Sequence, residues 1–303
     1  MKRIFITGAS GLLGLNWAIH DCNLHHVILG IHERKIEFPG TESVQLHMGN
    51  IESTKESISN IKPDLIIHTA GFTSVEGCEK NPELARAINT DLASNISKVS
   101  AAYSIPLVHI STDHLFSGMN SFVSEDEPIN PKNVYGASKA EAEIRVLEND
   151  PKALVIRTNF YGWGPSYRPS FSDMIIKSLR GGKRVTLFDD VFYTPILAEK
   201  LIQTVHELLS KKAKGVFNVV ADEMISKYDF GLSIAECFDL DRSLIDKGKM
   251  KNMVDLVQRP YDMSLSNRKV RHLLNHPLGP ISEHLFRLLE QEKTGLMNKI
   301  IKL

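Results

Sequence analysis

The chain has 303 residues, enough for a large core and for one domain with a smaller lobe. Its 36 basic and 36 acidic side chains cancel, so charge gives no case for nucleic acid or an anionic membrane as partner. Cys22, Cys78 and Cys237 lack CxxC spacing and suit a reducing compartment, and no apolar run approaches the ~18 residues of a membrane span. The first strand begins at residue 3 and leaves no room for a signal peptide, so a soluble, cytoplasmic protein is expected.

In chain order, the apolar run Ile4–Ile6 reads as a buried parallel strand. Gly8, Gly11 and Gly14 follow as G-x-x-G-x-x-G, and LNWAIHDC can continue as helix. Glycines at such a strand-to-helix turn let backbone N–H groups approach a pyrophosphate, with the helix N-terminus adding partial positive charge. A glycine-rich turn without ligand is the plainer reading, and the flanking strand and helix argue against it. A second strand runs over Val27–Ile31 and leads into His32-Glu33-Arg34-Lys35. An acidic residue closing this strand would take a ribose 2′-hydroxyl, whereas an arginine accepts a 2′-phosphate. No Asp closes it and two cations follow, which favours NADPH, with NADH the alternative.

Further strands are expected at Val44–Met48, Leu65–His68, Pro106–Ser111 and Ala153–Arg157, with helices between them such as Pro82–Tyr103 and Tyr135–Glu148. The alternation predicts an α/β, Rossmann-like, doubly wound parallel sheet. Residues 1–160 would form the dinucleotide-binding domain, with a return near 190–222. Residues 161–303 would form mainly a smaller, interleaved substrate-binding lobe. Gly8, Asn50, Thr69 to Gly71, Thr112 and Asn159 all follow strands and can face one crevice. Gly162, Gly164, Pro165 and Pro169 mark a loop-rich passage suited to a substrate cap. Tyr135-Gly-Ala-Ser-Lys139 puts a phenol and an ammonium on one helical face. A cation beside a phenol lowers its pKa from about 10 and makes a proton donor or acceptor usable near neutral pH. Alone, Y-x-x-x-K fits an ordinary surface helix equally well.

The glycine turn and Y-x-x-x-K, in this order and separation, resemble the extended short-chain dehydrogenase/reductases. Ile110-Ser-Thr112-Asp113-His114-Leu115-Phe116-Ser-Gly118 is similar to a segment of the dTDP-4-dehydrorhamnose reductases, as are His68 to Val75, Pro82 to Asn89, Arg157 to Gly162, Tyr193-Thr-Pro195 and Arg259 to Leu265. The resemblance implies an NADPH-dependent reductase of a nucleotide-linked 4-keto-6-deoxyhexose, as in dTDP-rhamnose biosynthesis. In it Tyr135 protonates the forming alkoxide, Lys139 holds the nicotinamide ribose and lowers the tyrosine's pKa, and Thr112 hydrogen-bonds the carbonyl oxygen. The cofactor would lie on Gly8, Ser10, Gly11, Leu12, Leu13, Gly14, Arg34, Asn50, Ile51, Thr69, Ala70 and Gly71, with Tyr135 and Lys139. Thr73, Val75, Thr112, His114, Asn159, Phe160 and Trp163 would border the sugar. His114 stands where relatives carry tyrosine and Phe160 where they carry tryptophan, and both departures fall on the sugar side. Asn89 is a buried structural amide in many relatives.

Some relatives bind magnesium, but Leu15 and Asn16 stand where a glutamate would serve. The histidines, including His25-His26, lack metal-ligand spacing, so no metal is expected. By the same resemblance a homodimer forms through Pro82–Tyr103 and Tyr135–Glu148. Two other functions compete. A nucleotide-sugar dehydratase or epimerase is one, although dehydratases carry Thr-Asp-Glu where this chain has Thr112-Asp113-His114. The other is a non-catalytic NADP-binding regulatory subunit, like that of methionine adenosyltransferase.

Overall fold

A computed structural model of the chain describes residues 1–32, 34, 36–46, 50–253 and 255–301. Its centre is a seven-stranded parallel sheet. Six strands come from the first half: β1 (Arg3–Thr7), β2 (His26–Ile31), β3 (Thr41–Gln45), β4 (Leu65–His68), β5 (Leu107–Ile110) and β6 (Leu154–Arg157). They lie in the order β3-β2-β1-β4-β5-β6, and the strand Gly215–Asn218 adds to the outer side of β6. This is the doubly wound order, with its switch point between β1 and β4.

The period-2 alternation of the strands sorts their apolar side chains onto two faces. Ile4, Ile6, Val27, Leu29, Leu65, Ile67, Val108 and Ile156 point one way, against Leu13 and Trp17 of α1 (Leu12–Asp21) and Leu201, Val205 and Leu208 of the helix Ala198–Ser210. Phe5, Ile28, Ile66, Leu107 and Val155 point the other way. There they meet α2 (Ile51–Ile61), α5 (Leu92–Ala102) and α6 (Val134–Asn149) through Ile58, Ile96, Ala142 and Val146. Both faces are covered, which is why these strands read as continuous apolar runs. A separate core gathers Tyr161, Trp163, Ile175, Leu187, Phe230, Ile234 and Leu288 from the second half of the chain.

Two elements differ from the sequence reading. The third strand is Thr41–Gln45 rather than Val44–Met48; His47 and Met48 lie outside the described residues. It is a sheet edge with three exposed side chains of five, so no apolar run betrays it. The expected helix Pro82–Tyr103 is three pieces: α-helical Pro82–Ala85, a π-helical turn at Arg86–Asp91, and α5. The widened turn carries the fully buried Asn89, whose side chain bonds the backbone of Phe72 and the hydroxyl of Ser138.

Candidate active site

The C-terminal ends of β1, β2, β4 and β5 open on one cleft of about 520 Å³. Gly8 opens its floor with φ +67°, a conformation costly for any residue with a side chain. A Cβ there would sit 2.5 Å from the Cα of Ala70, so the turn packs directly on the end of β4. Gly11 N–H donates to the Gly8 carbonyl at 2.9 Å, and Gly11 also begins α1 with no side chain capping it. The first-turn amides of this ten-residue helix are therefore left for a ligand. Ser10, Leu12, Leu13, Gly14, Thr69, Ala70 and Gly71 line the same floor. Thr69 Oγ1 donates to the Thr7 carbonyl at 2.7 Å and ties β4 to β1.

On the opposite wall Asn133 caps α6. Its Oδ1 accepts from Gly136 N at 2.8 Å, and its Nδ2 donates to the Gln258 carbonyl at 2.9 Å. Tyr135 thus enters the first turn of the helix. Gly136 explains how closely it approaches: a Cβ there would fall 2.4 Å from the carbonyl oxygen of His114. The Tyr135 ring meets the His114 ring edge-on at 5.4 Å, and Tyr135 and Thr112 line the same wall of the cleft. Thr112 Oγ1 donates to Asp113 at 3.2 Å and accepts from His114 N at 3.3 Å, and Asn159 Nδ2 donates to the other Asp113 oxygen at 2.6 Å. Lys139, one turn further along α6, is buried and donates to the Ile110 carbonyl at 2.7 Å.

The electrostatics differ from the sequence reading in one respect. Lys139 does not depress the tyrosine's pKa. Burial pushes the Tyr135 hydroxyl up to about 12, opposed by the neighbouring Thr112 hydroxyl, and the Lys139 ammonium is spent on the Ile110 carbonyl. Tyr135 is therefore a phenol at neutral pH. Burial also brings Lys139 down to about 8, against the pull of Glu143. Beneath Lys139 lie two fully buried histidines paired in register, His68 on β4 and His109 on β5, with rings 5.2 Å apart. His109 Nε2 is 3.5 Å from Lys139 Nζ. Burial, then the Lys139 charge, brings His68 down to about 3 and His109 well below its ordinary value, so both are neutral.

Thr73, Val75, Thr112, His114, Asn159 and Phe160 all border the cleft. Trp163 does not. It is 2% exposed, its indole N–H donates to the Leu288 carbonyl at 3.2 Å, and it packs edge-on against Phe238. The chain leaves the cleft after the short strand Phe160–Tyr161 and dives into the second core, taking this side chain along. Asn50 and Ile51 also lie off the cleft lining. Asn50 caps α2, its Oδ1 accepting from Ser53 N at 2.9 Å in a reciprocal capping box. The Arg34 guanidinium stacks over Tyr167 at 3.7 Å, and the Tyr167 hydroxyl donates to the Ser10 carbonyl at 2.8 Å. Glu33 and Lys35 lie outside the described residues.

Several lining residues escaped the sequence reading. Arg168 closes the cleft beside Pro169, which the sequence marks in the loop-rich passage, with Arg168 Nη2 donating to Thr73 Oγ1 at 2.6 Å. The Gly/Pro signal marked the loop but not its working side chains. Lys227 is not part of the lining but is drawn to the lining carboxylate of Asp113; it sits 3.4 Å over the Tyr193 ring, and burial lowers it to about 8 while Asp113 pulls it up. No local pattern in the sequence announces it.

A dinucleotide fits this cleft on two observations. Gly8 and Gly11 present bare backbone beside an uncapped helix N-terminus, and the buried Ser111 Oγ and His114 Nδ1 lining the cleft have no protein partner. The family model of the RmlD substrate binding domain matches residues 1–294. The chain belongs to the RmlD family. Among its relatives, the "Probable low-salt glycan biosynthesis reductase Agl14" of Haloferax volcanii is 33% identical over 263 residues, 84% of this chain and 87% of that protein. The beta subunit of methionine adenosyltransferase 2 from Bos taurus is 29% identical over 251 residues, 80% of this chain and 74% of that one. A crystal structure described as a hypothetical dTDP-4-dehydrorhamnose reductase from Sulfolobus tokodaii superposes with TM-score 0.81 at 31% identity, covering 92% of this chain and 97% of that one. The dTDP-4-dehydrorhamnose reductase of Bacillus anthracis, solved with NADP, superposes with TM-score 0.83 at 24% identity over 96% and 99% of the two chains, a likeness of fold. In this RmlD-family chain no helix among the described residues is long and apolar enough to cross a membrane.

Proposed function

We propose that this RmlD-family protein is an NADPH-dependent reductase of a nucleotide-linked 4-keto-6-deoxyhexose. One observation carries the reading: Thr112 and Tyr135 line the same cleft as the bare glycine turn. Gly8 to Gly14 and the α1 amides would hold the pyrophosphate, with Arg34 at the 2′-phosphate. A bound nicotinamide supplies the hydride. Thr112 hydrogen-bonds the ketone oxygen, where negative charge grows, and Tyr135 gives that oxygen its proton. The high pKa of Tyr135 keeps this proton in place until the alkoxide, a far stronger base, calls for it. Lys139, held on the Ile110 carbonyl, would present a cation to the nicotinamide ribose. Asn159 fixes Asp113, the resting acceptor of the Thr112 hydroxyl, which turns from that carboxylate to the ketone oxygen when the sugar binds. Thr73, Val75, His114 and Phe160 face the sugar, with Arg168 closing over it. Residues 1–160 with the return strand would carry the cofactor, and 161–303 most of the sugar contacts. A homodimer through Pro82–Tyr103 and Tyr135–Glu148 accords with the exposure of Leu84 and Ile144, at 41% and 53%. The cytoplasm, where NADPH is supplied, is its place of work.

Purified protein should oxidise NADPH only when a nucleotide ketosugar is present. Tyr135→Phe should lower kcat by about 10²–10⁴-fold, the usual worth of a positioned acid, while NADPH still quenches or shifts protein fluorescence as in the wild type. Full turnover in Tyr135→Phe overturns the acid assignment. A second reading, an NADP-binding regulatory subunit, is favoured by the 29% identity to the methionine adenosyltransferase beta subunit. A stable heteromeric complex with no turnover on any ketosugar decides for it.

A further inference from the structure

We propose that the end of α1 remote from the glycine turn holds a divalent transition-metal ion, ligated by His20, Asp21 and His206. His20 and Asp21 end α1, and His206 comes from the helix Ala198–Ser210, 185 residues away from Asp21. One ligand atom from each lies within 4.8 Å of the others. His20 Nδ1 is 2.8 Å from Asp21 Oδ1, and His206 Nε2 is 3.0 Å from both carboxylate oxygens. An ion with bonds of about 2.0–2.2 Å to imidazole nitrogen and carboxylate oxygen needs ligand atoms only slightly further apart than this. Two imidazoles and one carboxylate suit zinc and its neighbours, and suit magnesium or calcium poorly.

The surroundings are those of a supported site. Asp21 is 1% exposed, and the fully buried Trp17 donates its indole N–H to Asp21 Oδ2 at 3.1 Å. Such a second contact on the carboxylate is what orients a metal ligand. The His25 ring lies 6.4 Å from that of His206, and its Nδ1 is buried without a partner. The two ligand imidazoles are each 26% exposed, which leaves a path for an ion and its water. Without an ion, each imidazole reaches the carboxylate as a hydrogen-bond donor. Moving its proton to the other ring nitrogen frees a lone pair for the metal, so binding needs no other reactant. Sequence spacing could not show this set, because two members adjoin in the chain and the third comes from a distant helix. At about 1.5 Å per residue, the ten-residue α1 sets the site roughly 15 Å from the nucleotide turn. The ion is therefore a staple between two helices and takes no part in the proposed reduction.

The test strips the whole protein with EDTA, removes the chelator, and titrates Zn²⁺ by calorimetry while following Tm. Wild type should take up one equivalent and melt at a higher temperature. His20→Gln combined with His206→Gln should lose both effects, and Trp17→Phe should weaken binding by about tenfold, as loss of an orienting partner does. Co²⁺ should give the visible absorption of a nitrogen- and oxygen-ligated site in the wild type alone. If the double variant fails to fold, His20→Gln alone decides, since that ring is partly exposed and should cost about tenfold in affinity. No saturable uptake by wild type, or unchanged uptake and Tm shift in the His variants, overturns the proposal. NADPH oxidation is not used as a readout, so a failure here leaves the proposed activity standing.

Discussion

Tyr135 shows how one side chain answers to two pressures. Its cation partner in the sequence suggested an acidified phenol, yet burial raises the hydroxyl's pKa to about 12 and the hydroxyl stays protonated. Y-x-x-x-K was legible as a motif. The charge balance around it was not, because desolvation depends on what the fold packs above the ring. Arg34 is a second case. The chain offered it as a phosphate ligand, and it is found stacked on Tyr167, which itself holds the Ser10 carbonyl. If Arg34 also takes the 2′-phosphate, Arg34→Ala should weaken NADPH by about 10–100-fold, the worth of a charge-assisted hydrogen bond, and leave NADH nearly unchanged. Equal loss for the two cofactors, measured by fluorescence titration, would assign Arg34 to packing alone. Asn50 and Trp163 looked like ligand contacts by position, and their own backbone surroundings claim them instead.

Among the elements, α6 does the most. Asn133 sets where it starts, Tyr135 lines the cleft, and the buried Lys139 and Glu143 continue the same row one and two turns later. Glu143 takes three contacts from Arg157 of β6, two from Nε at 3.1 Å and one from Nη2 at 2.8 Å, with both side chains at most 4% exposed. Arg157 Nη1 adds a bond to the Glu125 carbonyl at 3.1 Å. Removing one partner strands a buried charge. Glu143→Ala should therefore destabilise the protein by about 3–5 kcal/mol, read as a lower urea midpoint, whereas breaking a solvent-exposed pair such as Arg184–Asp246 should leave that midpoint nearly unchanged. The buried parallel strands and most helices were readable from hydrophobic period. The polar edge strand Thr41–Gln45 and the π-helical turn at Asn89 were not, since each is fixed by partners distant in sequence.

For the molecule as a whole, acid should be more harmful than mild base. His68 is held neutral, its pKa brought from 6.5 to about 3, so below pH 6.5 the unfolded chain binds a proton that the folded one refuses. Asp21 acts in the same direction lower down, its folded value of about 2 lying under the usual 3.8. Stability should fall as pH drops from 6.5 toward 3. At the other end Lys139, at about 8 in place of 10.5, makes stability rise between those values, and Tyr135, at about 12 in place of 10, makes it fall again above 10. Urea midpoints from pH 4 to 11 check this, with His68→Gln expected to flatten the acid limb. A flat acid limb in the wild type would mean that the histidine is charged in the fold.

The seventh strand has a further consequence for how the protein can be cut. Gly215–Asn218 hydrogen-bonds along β6 from the far half of the chain. A fragment ending near residue 160 would keep every glycine of the nucleotide turn and still present a naked row of amides and carbonyls along Leu154–Arg157. Such an open margin recruits other chains. Expressed alone, that fragment should come out as aggregate, and supplying residues 161–303 as a separate polypeptide should rescue it.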